Sequence, residues 1–296
     1  MRAILFLMAA LSITVSSYGL GQPATAKNPV PRAKPTGSTR PYTLNATTVR
    51  LLNPGEETAA SAAGPTAMGV VAQALKGNIA TGRVLSDFDV ELIVDCSASM
   101  QKTDCTGYVS RWNWCGKQAQ NLGKELAAYS PNGLTVTTFN SNYEIHPNVT
   151  AQQITYMFQH PTFKTGTKLA EPLADRLLSF FRAHNDSSKP LLIAVITDGV
   201  PYPAEQPTMV AKALIAASKQ MESPHQVTVV FFQIGSNDNF GKQYLRHLDD
   251  DLVQYGAKYD LVRTVPYRHL QRVGLAQALV DSIKEFHFQN GAFPVQ

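Results

Sequence analysis

Apolar runs alternate with amphipathic segments along the chain from residue 85 to residue 288. Residues 191–196 form a continuous apolar run, which is typical of a central strand covered on both faces of a sheet. Further strands are predicted at 89–94, 134–139, 226–234 and 258–262, with a hairpin edge at 143–146. Helices are predicted between these strands, at 115–129, 151–158, 169–184, 205–221, 239–248 and 269–288.

This alternation predicts the fold class. Strands that are separated by helices of such length are joined by crossover connections and pair in parallel. We therefore expect an α/β domain over residues 85–288, with a doubly wound, mostly parallel central sheet flanked by helices, followed by a tail at 289–296. Ligands bind such sheets at the carboxyl ends of the strands, so polar residues at those ends are candidates for function.

The front of the chain has a different composition. A basic start and an apolar run at 3–15 precede the small residues Ala24 and Ala26, which predicts a signal peptide over 1–26. The alternative is a membrane anchor, but the run is shorter than the roughly 20 residues of a spanning helix. Residues 27–84 are rich in Pro, Ala and Thr and predict an extended linker, with a possible short helix at 66–75. We expect a secreted or periplasmic protein with no transmembrane segment after signal cleavage.

Charge is distributed unevenly between these parts. Residues 27–82 carry a net charge of +4, whereas residues 83–296 carry 19 basic and 20 acidic side chains. Nucleic-acid-binding proteins concentrate Lys and Arg on the folded module, so no nucleic-acid partner is expected. The basic front segment is compatible with a weak contact to an anionic surface.

Carboxylates and hydroxyls lie directly after two of the predicted strands and in one loop between helices. They lie in the motifs Asp95-Cys96-Ser97-Ala98-Ser99, Thr165-Gly166-Thr167 and Thr197-Asp198-Gly199. Each motif alone is explained by a helix cap or a turn, but together they place two carboxylates and three hydroxyls at one sheet edge. Such oxygen donors suit Mg²⁺, with Mn²⁺ or Ca²⁺ as alternatives. Neutral hydroxyls leave the ion electron-poor, so we expect it to attract an acidic side chain of a protein partner.

These motifs, in this order, resemble the metal-ion-dependent adhesion site (MIDAS) of von Willebrand factor type A (vWA) domains. The resemblance covers residues 85–288 and implies a Rossmann-like vWA fold with a role in Mg²⁺-dependent protein binding, in adhesion or assembly. It implies that Ser97, Ser99 and Thr167 contact the metal directly. Asp95 and Asp198 would act mainly through water. One departure is Thr165, where Gly is frequent in the family; the Gly-Thr order identifies Thr167 as the ligand.

Three cysteines lie in or near the first motif. Cys96 is expected to point into the core. Cys105 and Cys115 are predicted to form a disulfide, since an exported chain favours such bonds. A bond between Cys96 and Cys105 is the alternative pairing.

A group of large side chains lies in the segment that contains Cys105 and Cys115. Aromatic residues and Arg are enriched at the energetic centres of interfaces, which makes this group a candidate partner-binding surface. The alternative is that the rings cover the edge of the sheet. The group consists of Tyr108, Arg111, Trp112 and Trp114.

The predicted activity is binding, and we do not expect an enzyme. The chain has no Gly-x-Ser-x-Gly nucleophile motif and no Gly-rich phosphate loop. Ser97 stands where an aspartyl phosphatase has its second Asp. The alternatives are a structural subunit with a non-exchanging metal and a metal-dependent hydrolase.

Overall fold

The computed structural model describes residues 81–130, 133–185, 188–235 and 239–289. The predicted signal peptide, the possible helix at 66–75, the linker up to residue 80 and the tail after Gln289 lie outside the described residues. Within the described ranges, no helix has both the length and the apolar character needed to cross a membrane.

Six strands of the described residues form one sheet in the order β3-β2-β1-β4-β5-β6. Every neighbouring pair is parallel except β2 and β3, which form an antiparallel hairpin. This topology confirms the predicted doubly wound, mostly parallel α/β fold. The strands are β1 (Asp89–Asp95), β2 (Leu134–Phe139), β3 (Tyr143–Val149), β4 (Leu191–Thr197), β5 (Val227–Gln233) and β6 (Val262–Val265).

Helices cover both faces of the sheet. Successive residues of β1 point to opposite faces, so Leu92 lies in the core with α2 and α8, whereas Ile93 lies in the core with α4 and α5. A short 3₁₀ helix, Ala98–Gln101, follows β1. The α-helices are α1 (Thr81–Leu85), α2 (Arg111–Ala127), α3 (Ala151–Gln159), α4 (Ala170–Ala183), α5 (Gln206–Gln220), α6 (Asn239–Asp250), α7 (Tyr267–Val273) and α8 (Leu275–Gln289).

The last strand begins later than predicted. Tyr259, inside the predicted strand, does not pair with a neighbouring strand because its backbone is bonded to a side chain. Tyr259 N donates to Ser218 Oγ at 2.7 Å, and Ser218 Oγ donates to Tyr259 O at 3.0 Å. The strand then starts at Val262.

The helix predicted at 269–288 is in fact two helices. Gly274 separates α7 from α8 and has a φ of +79°, a conformation that favours glycine. Gly274 N still donates to Leu270 O at 2.8 Å, which closes the last turn of α7. The chain then restarts as α8 at Leu275.

Helix α1 extends the folded body in front of its predicted start at residue 85. Val84 and Leu85 are completely buried, and α1 contacts both α2 and α8. The last residues of the segment predicted as linker, from Thr81 onward, therefore pack as part of the domain.

Replacing Leu85 by Ala should lower the free energy of unfolding by about 2–5 kcal/mol, because it leaves a cavity in a closed core. Urea denaturation of the full chain measures the loss. The control is Arg83→Ala in the same helix, which removes a partly exposed ion pair with Asp87 and a hydrogen bond to Ser86 Oγ and should cost about 1 kcal/mol. Small and equal losses in the two variants would show that α1 does not belong to the core.

Candidate functional site

Three loops meet at the carboxyl edge of the sheet. Ser97, in the loop after β1, forms a backbone bridge with Lys164, and Thr167 forms another with Tyr202 in the loop after β4. The loop between α3 and α4 is therefore bonded to the loop after β1 on one side and to the loop after β4 on the other. This arrangement brings the segments that carry Asp95, Ser97, Ser99, Thr167 and Asp198 to one edge of the sheet.

Asp95 is the last residue of β1 and is completely buried. Its Oδ1 accepts a hydrogen bond from Ser97 N and its Oδ2 accepts one from Thr197 Oγ1, both at 2.8 Å. Burial, and secondarily the nearby Asp198 carboxylate, raise the pKa of Asp95 to about 7. None of the ion pairs formed by the described side chains includes Asp95, so its charged form has only neutral hydrogen-bond partners.

Asp198 follows β4 and is buried as well. Its Oδ1 accepts a hydrogen bond from Ser99 Oγ at 2.9 Å, and its Oδ2 accepts one from Arg111 Nη1 at 2.6 Å. The Ser97 and Ser99 hydroxyl oxygens lie 3.0 Å apart. Two of the predicted hydroxyls and one predicted carboxylate thus form a continuous hydrogen-bonded chain.

Thr167 is joined through its backbone to Tyr202 in the loop after β4, and not to the Ser97–Ser99–Asp198 chain. Its N donates to Tyr202 O at 3.1 Å, and Tyr202 N donates to Thr167 O at 3.0 Å. Within the part of the chain that the structure describes, the Thr167 hydroxyl forms no hydrogen bond to the other four predicted side chains. Thr167 is half-buried, whereas Thr165 is exposed.

The donor chemistry at this edge fits a hard divalent cation. Asp95 and Asp198 are close enough for one charge to raise the pKa of the other carboxyl, and a cation would offset two buried charges of the same sign. Among the described residues, no group of three or more His, Cys, Asp or Glu side chains is arranged to hold a metal ion. The predicted site has only two such side chains, so it depends on hydroxyls and water for its remaining ligands.

Arg111 belongs to this site, although the sequence predicted it as partner-binding surface. Helix α2 begins at Arg111 and not at residue 115, because Ser110 caps the helix by accepting a hydrogen bond from Asn113 N. The guanidinium is buried between two carboxylates: Nη1 donates to Asp198, Nε donates to Asp104 Oδ1 at 2.8 Å, and Nη2 donates to Asp104 Oδ2. These hydrogen bonds also hold the pKa of Asp104 below its ordinary value. In the sequence, Ser110 is the residue that could have indicated that the helix begins at Arg111.

Most of the predicted partner-binding group packs inside the domain. Trp112 is 2% exposed, and its Nε1 donates to Phe158 O at 2.9 Å. Trp114 is partly buried and meets Tyr267 edge-on, with ring centroids 5.2 Å apart. Trp112 therefore packs in the core of the domain. Tyr108, at 92% exposure, is the member of the group that lies open on the surface.

The predicted Cys105–Cys115 disulfide is not present in the structure, and neither is the alternative bond between Cys96 and Cys105. All three thiols are free and buried. Burial raises the pKa of the Cys105 thiol, and Cys115 lies in the core. Cys96 is buried as predicted: its Sγ donates to Thr162 O at 3.5 Å, and burial raises its pKa to about 11.

Neither a protein-family model nor a curated protein sequence matches the chain. Three similar solved structures are a mutant PilB minor pilin from Streptococcus sanguinis, an aerotolerance-related membrane protein from Bacteroides fragilis, and the manganese-loaded TRAP protein of Plasmodium vivax. Their sequence identities to the chain are 13%, 13% and 14%, and their TM-scores are 0.42, 0.43 and 0.45.

The likeness covers 68%, 67% and 67% of the chain, and 60%, 99% and 73% of the respective structures. The chain thus spans less than two thirds of the minor pilin. At these identities and TM-scores, the three structures assign neither a family nor a function to the chain.

Gly235 leaves space for the Arg111 guanidinium because it has no side chain. It follows β5 with a φ of +89°, and a Cβ built on it would lie 2.6 Å from Cζ and Nη2 of Arg111 and 2.8 Å from Nε. The guanidinium therefore lies directly against the backbone at the end of a third strand.

Replacing Gly235 by Ala should destabilise the protein by about 2–5 kcal/mol, through left-handed backbone strain and a clash with Arg111. Gly256→Ala is the matched control, because Gly256 has a φ of +99° with nothing within 4 Å of the added Cβ, so strain alone is changed. Thermal unfolding of both variants in EDTA gives the comparison. Equal losses would contradict the close contact between Arg111 and Gly235.

Proposed function

We propose that the chain is a vWA-like binding protein, in which the MIDAS-like residues at the carboxyl edge hold Mg²⁺ and attract a carboxylate of a protein partner. The observation that carries this proposal is the environment of the Asp95 carboxylate. It is completely buried beside a second carboxylate, and its hydrogen bonds come from neutral donors. Burying a charge costs free energy unless the charge is paired, and a divalent cation at this edge supplies the missing countercharge.

Each predicted residue has a role in this proposal. Ser97, Ser99 and Thr167 offer hydroxyl oxygens to the ion, while Asp95 and Asp198 hold its water ligands and balance its charge. Because the direct donors are neutral, the ion keeps much of its positive charge and attracts an anionic oxygen from outside the chain. Mn²⁺ or Ca²⁺ would occupy the same oxygen donors.

The proposed partner is a protein that presents Asp or Glu to the metal, in adhesion or assembly outside the cytoplasm after cleavage of the predicted signal peptide. Two exposed tyrosines lie on the loops of the metal edge: Tyr108 in the loop after β1 and Tyr202, 65% exposed, in the loop after β4. These rings offer contact area beside the ion, as tyrosines do at interfaces. The proposed role is binding, and we assign no catalytic step to these residues.

A structural metal is the second candidate. It is favoured by the complete burial of Asp95 and by the two backbone bridges that tie the three loops together. In this alternative the ion holds the loops and does not exchange a ligand with a partner. The two candidates differ in whether removal of the metal abolishes binding of the partner.

Thr167→Ala should weaken Mn²⁺ and Mg²⁺ binding at least about tenfold, and Asp95→Asn should weaken it about 10–100-fold, as removal of residues that support metal ligands does. Isothermal titration of the full chain measures both affinities. Thr165→Ala is the matched control, since this exposed threonine lies two residues from Thr167 and should leave the affinity unchanged. If Thr165→Ala lost the metal and Thr167→Ala kept it, the assigned ligand would be wrong.

Capture of partners on immobilised full-length protein separates the two candidate functions. We expect a partner to be retained in Mg²⁺ and lost both in EDTA and with Asp95→Asn, while Thr165→Ala retains it. Retention of the same partner in EDTA by a folded protein would support the structural metal and contradict a metal-bridged contact. Turnover of a phosphate ester that depends on Asp95 would contradict the binding role and favour a hydrolase.

A further inference from the structure

Arg111 connects three strand ends at the proposed metal edge. Its guanidinium contacts Asp198 after β4, lies against Gly235 after β5 and bonds to Asp104 in the loop after β1. The side chain is only 8% exposed, and that of Asp198 is 6% exposed. A permanently charged group is thus fixed beside a carboxylate of the proposed cation site.

We propose that Arg111 is the built-in counter-ion of this site: it stabilises Asp198 while no metal is bound, and it lowers the affinity of the site for a divalent cation. The inference rests on the proposed function and adds to it a residue outside the predicted ligand set. Its consequence is a metal that exchanges more readily than the two buried carboxylates alone would allow.

The two carboxylate oxygens of Asp198 accept hydrogen bonds from different side chains. Oδ1 accepts a hydrogen bond from Ser99, which belongs to the predicted ligand set, whereas Oδ2 accepts one from Arg111. A cation held near the serine hydroxyls would therefore share one carboxylate with the guanidinium. Two positive groups that share one negative charge repel each other, and in a buried site this repulsion is only weakly screened.

Asp104 limits the strength of this repulsion. It accepts hydrogen bonds from Nε and Nη2 of Arg111 through its two oxygens, and its side chain is 35% exposed. The charge of Arg111 is thus divided between buried Asp198 and the more accessible Asp104. Without the Asp104 carboxylate, Asp198 would be the one anionic partner of Arg111 among those described. The guanidinium should then compete more strongly with the metal for Asp198.

Arg176 provides a control for loss of an arginine that is paired with a buried carboxylate. It forms a two-pronged pair with Glu91, with both N–O distances at 2.7 Å and side-chain exposures of 15% and 4%. Glu91 lies near the start of β1, whereas Asp95 ends that strand. Arg176→Gln therefore removes a partly buried arginine–carboxylate pair near the opposite end of the sheet from the proposed metal.

The test is isothermal titration of Mn²⁺ and Mg²⁺ into full-length wild type, Arg111→Gln, Asp104→Asn and Arg176→Gln. Arg111→Gln should bind roughly tenfold more tightly, the size of a typical coupling between two sites. Asp104→Asn should bind more weakly than wild type, and Arg176→Gln should match wild type. In thermal unfolding, Arg111→Gln should lose stability in EDTA and regain more of it with Mn²⁺ than Arg176→Gln does.

Unchanged or weaker binding by a folded Arg111→Gln variant would overturn the counter-ion role while leaving the metal site intact. If Arg111→Gln does not fold in EDTA, the metal affinity of Asp104→Asn decides. Weaker metal binding by Asp104→Asn supports the proposal, and tighter or unchanged metal binding overturns it. Failure of wild type and all variants to bind either metal would contradict the proposed function itself. Binding by Arg111→Gln alone would support the counter-ion role and contradict metal binding by the wild-type protein.

Discussion

Two buried carboxylates of like charge, Asp95 and Asp198, are the constraint on which the carboxyl edge of the sheet depends. They stand at the ends of β1 and β4, which pair in parallel, so their separation is set by the sheet itself. Neutral donors satisfy both oxygens of Asp95, and Asp198 shares an ion pair with Arg111. The edge therefore has one carboxylate with a cationic partner and one without, and this asymmetry is what a bound cation would relieve.

The surrounding elements hold this charge arrangement in place. The backbone bridges from Ser97 to Lys164 and from Thr167 to Tyr202 fix the three loops relative to one another. Arg111 is the first residue of α2, and the missing side chain of Gly235 lets the guanidinium approach the backbone just after β5. Stability and proposed function are thus coupled, because the groups that would meet the cation are also those that the fold buries.

The fold was largely predictable because local patterns carry it: the apolar run of β4 and the residues that follow β1 and β4 need no distant information. Two of the failures depended on contacts between distant residues. Ser218, 41 residues away, binds the backbone of Tyr259 inside the predicted last strand, and Asp198, 87 residues away, sets the role of Arg111. The split between α7 and α8 was missed although Gly274 marks it, since an isolated glycine inside a helical pattern does not always end the helix.

The central claim is that a divalent cation occupies the edge formed by Asp95, Ser97, Ser99 and Asp198. Anomalous X-ray diffraction from crystals of the full chain grown with Mn²⁺ tests it most directly. We expect one anomalous peak at coordination distance from the Ser97 and Ser99 hydroxyl oxygens, with Arg111 still beside Asp198. A peak at any other place, or an ordered edge without a peak at saturating Mn²⁺, would contradict it.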